Sequence, residues 1–152
     1  MDCHVVSSSD PSIVFSQQRF TTVRFFDDFA YAVTFERIDP FYVIDLSNEQ
    51  PMVAGKLKVN GFSEYLHPID RNDQFLLANG QNADDSGNVL GYMVSLLDAS
   101  NQTNPTLVDR LTIEQQKNSY SSSTASWDER AFRFVSLGDK KGKLIIPLSI
   151  YT

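Results

Sequence analysis

The chain has a single cysteine, Cys3, which excludes an intrachain disulfide and a cysteine-based zinc cage. Histidine is nearly as scarce. Only His4 and His67 are present, too few for a multi-histidine catalytic metal centre. No run of 18 uninterrupted apolar residues occurs, so no helical membrane span is expected. Basic residues are few and unclustered, 13 against 19 acidic ones, and the net charge of −6 with a pI near 4.7 argues against nucleic acid as a partner. The opening residues Met1–His4 lack the basic and apolar regions of a signal peptide, which read literally indicates a cytosolic chain. A chain cut from a longer secreted protein would begin in the same way, so the compartment stays open.

What is present is an apolar, aromatic chain of one domain's length. Of its 152 residues 41% are apolar and 12% aromatic, with 21% charged, enough to build a core and too little charge for a disordered chain. Aromatic and β-branched residues come in short runs split by turn formers. Thr21–Phe26 precedes Asp27-Asp28, Phe29–Phe35 precedes Asp39-Pro40, and Phe41–Leu46 follows. Aspartate bonds its own backbone and proline fixes φ, so these pairs mark turns. Met52–Val59, Phe75–Ala78, Tyr92–Leu97, Leu107–Ile113, Ala131–Val135 and Leu144–Leu148 complete nine expected strands. The one helical rival is Leu107–Gln116, where Leu107 and Leu111 lie four apart, but Val108, Thr112 and Ile113 favour a strand.

The runs echo one another. Tyr42–Ser47 followed by Pro51 and a returning strand is matched by Val94–Ser100 followed by Pro105 and another returning strand, with Asp45 mapping onto Asp98 and Pro51 onto Pro105. Upstream of each copy lies a further pair, Val23–Phe26 with Phe29–Phe35 and Tyr65–His67 with Phe75–Ala78. A third, incomplete copy runs from Ser126-Trp127 through Asp128-Glu129 and Ala131–Val135 to Leu144–Leu148. Four antiparallel strands per unit of roughly 40–55 residues is the signature of a propeller blade. A β-sandwich remains as the rival, though it does not account for the echo. The expected fold is all-β, with β-propeller-like antiparallel blades, about three, the last incomplete, forming an open partial propeller. An extension over 1–20 precedes units at about 21–60, 61–118 and 124–152.

The blocks Val23–Phe35, Asp39–Ser47 and Gly55–Pro68, most specifically Gly61-Phe62-Ser63 with Tyr65-Leu66-His67-Pro68, resemble the secreted C-terminal β-propeller family, a distant relation of WD40 proteins. The resemblance covers about Thr21 to Leu148. Where that family tends to carry Asp-His-Lys-Ala-Phe, this chain has Asp128-Glu129-Arg130-Ala131-Phe132, so no role of that histidine transfers. The resemblance implies an extracellular or cell-surface setting and brings no enzymatic activity with it.

Several residues are candidates for chemistry. His67 has Ser63 and Asp70 nearby in sequence, and strand alternation would put Ser63, Tyr65 and His67 on one face. No strained nucleophile turn or oxyanion hole accompanies them, so His67 is expected to lock neighbouring blades through a backbone carbonyl. In the loop 82–88, Asn82, Asp84 and Ser86 alternate before Gly87 as in a calcium loop. Met93 stands where the closing glutamate belongs, which leaves a solvated hairpin tip as the main reading. Asp45 and Asp98 are expected to cap their own turns. Asn101-Gln102-Thr103 forms a glycosylation sequon on a turn. The polar tract Ser119–Ser126 reads as a surface connector.

These features add up to a non-enzymatic binding or scaffold module with no cofactor, calcium at Asn82, Asp84 and Ser86 being the one candidate ion, acting on a protein or other extracellular ligand. The alternative is a hydrolase or lyase using carboxylates at the channel mouth, with Asp27, Asp28, Asp39 and Asp128 as candidates. About three blades fall short of the four to eight that close a ring, so the chain is expected to be a fragment of a larger protein or a ring-forming protomer, self-associating in isolation.

Overall fold

A computed structural model of the chain describes residues 20–34, 40–69, 74–115, 119–138 and 141–152. The expectations placed on Cys3, His4, Asp39 and Asp70 fall outside these residues. The architecture is all-β and antiparallel, with no α-helix among the described residues, and no helix there is long and apolar enough to cross a membrane. The first sheet is a four-stranded meander of β1 (Phe20–Phe26), β2 (Phe29–Thr34), β3 (Pro40–Asp45) and β4 (Met52–Lys58). The second repeats this order with β5 (Phe62–Pro68), β6 (Phe75–Ala83), β7 (Val89–Asp98) and β8 (Thr106–Glu114). Leu107–Ile113 is thus strand, as its β-branched residues dictate. The third part contains β9 (Tyr120–Ser122), two single-turn 3₁₀ segments (Thr124–Ser126 and Glu129–Ala131), then β10 (Arg133–Gly138), β11 (Lys141–Ile145) and β12 (Ser149–Tyr151). β10 pairs with β11, and β12 returns to β9.

The two four-stranded sheets share a detail beyond strand order. Val43 pairs with Gly55 and Ile44 with Val53, which leaves Ala54 as an extra residue in the ladder. Leu96 pairs with Asp109 and Leu97 with Leu107, which leaves Val108 extra in the same way. Each bulge stands next to an Asp-x-Ser turn whose aspartate Oδ1 accepts an amide two residues on, Ser47 N at 2.8 Å for Asp45 and Ser100 N at 2.8 Å for Asp98. Bulges of this kind add twist to a sheet, as stacked, twisted blades need.

The sheets pack face to face. Tyr31, Val33, Phe41 and Val43 of the first sheet meet Leu66, Leu76, Ala78 and Leu97 of the second in one buried cluster, with Tyr31 and Phe41 rings stacked at 6.0 Å. Each buried valine, leucine or phenylalanine among them contributes roughly 1.5–3 kcal/mol relative to exposure. The opposite face of the second sheet packs Tyr65 against Ala125 and Phe132, with Leu77, Phe134, Leu144 and Ile146 around them. The second sheet is therefore the middle layer, covered on both faces.

Several strand limits differ from the sequence reading. β6 and β7 run longer, to Ala83 and from Val89, because Asp84 and Gly87 make a tight turn that lets the ladder extend to its tip. Ala131 sits in a 3₁₀ turn, since the Asp128 side chain accepts the Arg130 amide and coils the chain there. β9 and β12 are three residues each, too short to leave a periodic pattern.

Candidate functional site

The candidate site is a cleft of about 650 Å³ where strands β1 and β5 meet the 3₁₀ segments. Thr21 and Arg24 come from β1, Glu64 and Tyr65 from β5, and Ser126 to Arg130 from the turns. A break in the β5–β6 ladder aims one of these side chains. Ser63 pairs with Gly80 and Tyr65 with Asn79, so Glu64 is the extra residue of a bulge. Gly80 makes the bulge possible, because a Cβ there would overlap the Phe62 carbonyl oxygen and sit 3.0 Å from the Glu64 amide nitrogen. Bulges often re-aim a side chain toward a site.

Two successive caps shape the opposite wall. Ser123 Oγ accepts the Ala125 amide at 3.2 Å and Asp128 Oδ1 accepts the Arg130 amide at 3.1 Å. Between these caps lies Trp127, 71% exposed although it is the chain's only tryptophan.

Charge within the cleft is mostly paired. Arg24 Nη2 lies 3.3 Å from Glu129 Oε2, its Nε donates to the Leu66 carbonyl at 2.9 Å, and its guanidinium stands 4.6 Å over the Tyr65 ring. Arg130 grips Asp128 with two bonds, Nε to Oδ1 at 2.9 Å and Nη2 to Oδ2 at 3.0 Å. Those bonds hold the Asp128 carboxyl below the ordinary carboxylate range. Glu64 is left as the one lining carboxylate with no hydrogen-bond or ion-pair partner among the described residues.

His67 stands behind the cleft wall, its ring 4.8 Å from that of Phe132 and 6.3 Å from that of Phe134, with Nδ1 3.4 Å from the Tyr65 hydroxyl. Burial, then the nearby Arg24 charge, push its pKa down, with Glu129 opposing. The expectation that Ser63, Tyr65 and His67 share a face is corrected by the bulge. Ser63 lies across from Gly80 and Tyr65 across from Asn79, adjacent residues of one strand, so Ser63 and His67 occupy opposite faces.

The remaining sequence candidates are dispersed. Asp27 and Asp28 form the β1–β2 turn and do not line the cleft, whereas Asp128 does. Asp84 spends its oxygens on its own hairpin, Oδ1 accepting the Ser86 and Asn88 amides at 2.9 and 2.8 Å and Oδ2 accepting Asn88 Nδ2 at 2.9 Å. Asn82 Oδ1 takes Arg110 Nη1 at 3.3 Å. Among the described residues no group of three or more His, Cys, Asp or Glu is placed to hold a metal ion. Asn101 is exposed on the β7–β8 turn, and its Oδ1 accepts the Thr103 hydroxyl at 2.9 Å.

The sequence model of the β-propeller domain family matches residues 14–152. The chain belongs to the β-propeller domain family. Among its relatives are an uncharacterized protein of Archaeoglobus fulgidus, 42% identical over 99 residues, and one of Methanocaldococcus jannaschii, 44% identical over 94 residues. These alignments cover 64% and 61% of this chain. They span only 15% and 14% of the relatives' own lengths. No solved structure matches the chain.

Proposed function

We propose that this propeller domain is a non-enzymatic binding module whose ligand, a protein or other extracellular molecule, seats in the cleft between β1, β5 and the 3₁₀ turns. The observation that carries this reading is Trp127, held open to solvent on the rim of a concave site between two capped turns. Binding sites combine an apolar platform with a few convergent polar groups, and exposed aromatics mark them. The two four-stranded sheets and the third part serve as blade units at about 21–60, 61–118 and 124–152, within a larger ring. In the third unit, Leu137, Ile145, Ile150 and Tyr151 are each more than half exposed, which supports contact with a further blade and self-association of the isolated chain.

Amide chemical-shift mapping on the full chain, titrated with small peptides and saccharides, tests the reading. Shifts clustered at 64–65 and 126–130 support it, and shifts confined to the 82–88 hairpin overturn it. The hydrolase alternative rests on Asp128 sharing the cleft with Glu64 and Glu129. Turnover of a chromogenic glycoside or ester, lost in both Glu64→Gln and Asp128→Asn, would establish that alternative.

A further inference from the structure

The cleft's charge pairing says which ligand chemistry it can take. Both of its guanidiniums have carboxylate partners, Arg24 with Glu129 and Arg130 with Asp128, so among the described residues no free cation in the cleft waits for an anion. One carboxylate, Glu64, is left over, and it reaches the cleft because the β5 bulge turns it there. The site also shows how it holds a cation. Arg24 lies over the Tyr65 ring at 4.6 Å with its charge met by Glu129, which uses one aromatic and one carboxylate for one guanidinium. Trp127 and Glu64 supply a second aromatic and a second carboxylate in the same cleft, and no cation or ring among the described residues occupies the indole. Indole is the strongest of the aromatic platforms for a cation. A chain of net charge −6 also attracts basic partners over distance.

We propose that the cleft captures an arginine side chain of a basic protein segment, with the guanidinium stacked on Trp127 and paired to Glu64. This deepens the binding-module reading and rests on it. Lysine binds in the same place more weakly, because an ammonium cannot stack flat on the ring or grip a carboxylate with two parallel bonds.

Trp127 is the only tryptophan, so intrinsic fluorescence reports on this site alone. The full 152-residue chain is titrated with the tripeptides Gly-Arg-Gly, Gly-Gly-Gly and Gly-Glu-Gly at low ionic strength. The arginine peptide is expected to change the emission saturably, the other two not. Glu64→Gln should weaken that response about threefold to fivefold, the range of a partly exposed ion pair. Glu64→Asp should restore part of it, and half-molar salt should weaken the wild type toward the Glu64→Gln level. Asp84→Asn, on the distant hairpin, should behave as wild type. Circular dichroism checks that each variant is folded, and the salt series on wild type keeps the idea falsifiable if Glu64→Gln is not. An unchanged affinity in folded Glu64→Gln, or an arginine response insensitive to salt, overturns the proposal. A saturable response to the neutral or acidic peptide but not to the arginine one overturns the cationic ligand while leaving the cleft as a binding site. No response to any peptide, with amide shifts confined elsewhere, overturns both readings.

Discussion

Gly80→Ala tests the link between the ladder irregularity and the cleft. Residue 80 faces the bulge, and its added methyl would overlap the Phe62 carbonyl oxygen and stand 3.0 Å from the Glu64 nitrogen. Both obstacles are backbone, so no flexible side chain can swing aside, and the strand must move by about an ångström or more. Overpacking of this type costs about 1–3 kcal/mol, and unyielding backbone puts the cost near the upper end. For a domain of this size each kcal/mol lowers Tm by about 2–4 °C, so a loss of about 6–12 °C is expected. Gly87→Ala is the control. Gly87 has φ of +83° with nothing within 4 Å of the position of a Cβ, so its cost is left-handed strain alone, about 1–2 kcal/mol. Thermal unfolding followed by circular dichroism measures both variants. If Gly80→Ala loses no more than Gly87→Ala, the bulge does not depend on the glycine and the argument for an aimed Glu64 fails.

Other consequences can be measured directly. The pKa of His67 is depressed below its ordinary 6.5, so its contribution to stability is complete above that pH and lost as pH falls through the lower folded value; urea unfolding from pH 7 to 5 should show this decline, and His67→Gln should flatten it. Arg110 ties β8 to Ser95 Oγ at 2.9 Å and to the Asn60 carbonyl at 2.7 Å, so Arg110→Ala should cost about 2–3 kcal/mol in urea titration and Arg110→Lys should recover little of it. Millimolar calcium should leave Tm unchanged, since Asp84 already serves its own hairpin; a rise of several degrees, absent in Asp84→Ala, would contradict this. Sedimentation of the isolated chain at tens of micromolar should reveal oligomers that Leu137→Lys with Ile150→Lys dissolves, and a monomeric wild type would refute the exposed-flank argument.

The alternation of strand and turn was legible because Asp27-Asp28 and the Asp-x-Ser segments carry their own local chemistry. A carboxylate that bonds an amide two residues on needs no tertiary partner, and Asp45, Asp84, Asp98 and Asp128 all do so. The candidate site was far less legible. Glu64 enters the cleft through a one-residue register shift, which strict alternation cannot reveal, and Gly80 gave no warning because the strand expected from the sequence ended at Ala78. Trp127 stands in the sequence only as the start of the third copy, and nothing in its spacing reveals that the caps at Ser123 and Asp128 leave it exposed. Arg24 finds Glu129 across 105 residues, a pairing set by packing and not by spacing.

The middle sheet's two covered faces make it the point through which cooperativity passes. Stacked units exchange contacts only with their neighbours, so each interface melts as a separable term. Leu66, Leu76 and Leu97 serve the interface with the first sheet, while Tyr65 and Leu77 on the reverse serve the one with the third. The third unit can therefore open by giving up its interface with the middle sheet and the Arg24–Glu129 pair to the first, together with the cleft wall it carries. The first sheet can do the same on its side and leave Trp127 in place. The strands of the middle sheet can be released only when both neighbours have gone, so the slowest hydrogen exchange belongs to β5, β6 and β7. A ligand bridging Glu64 and Trp127 would fasten the middle sheet to the unit that opens most cheaply, and would lengthen that unit's lifetime in the folded state.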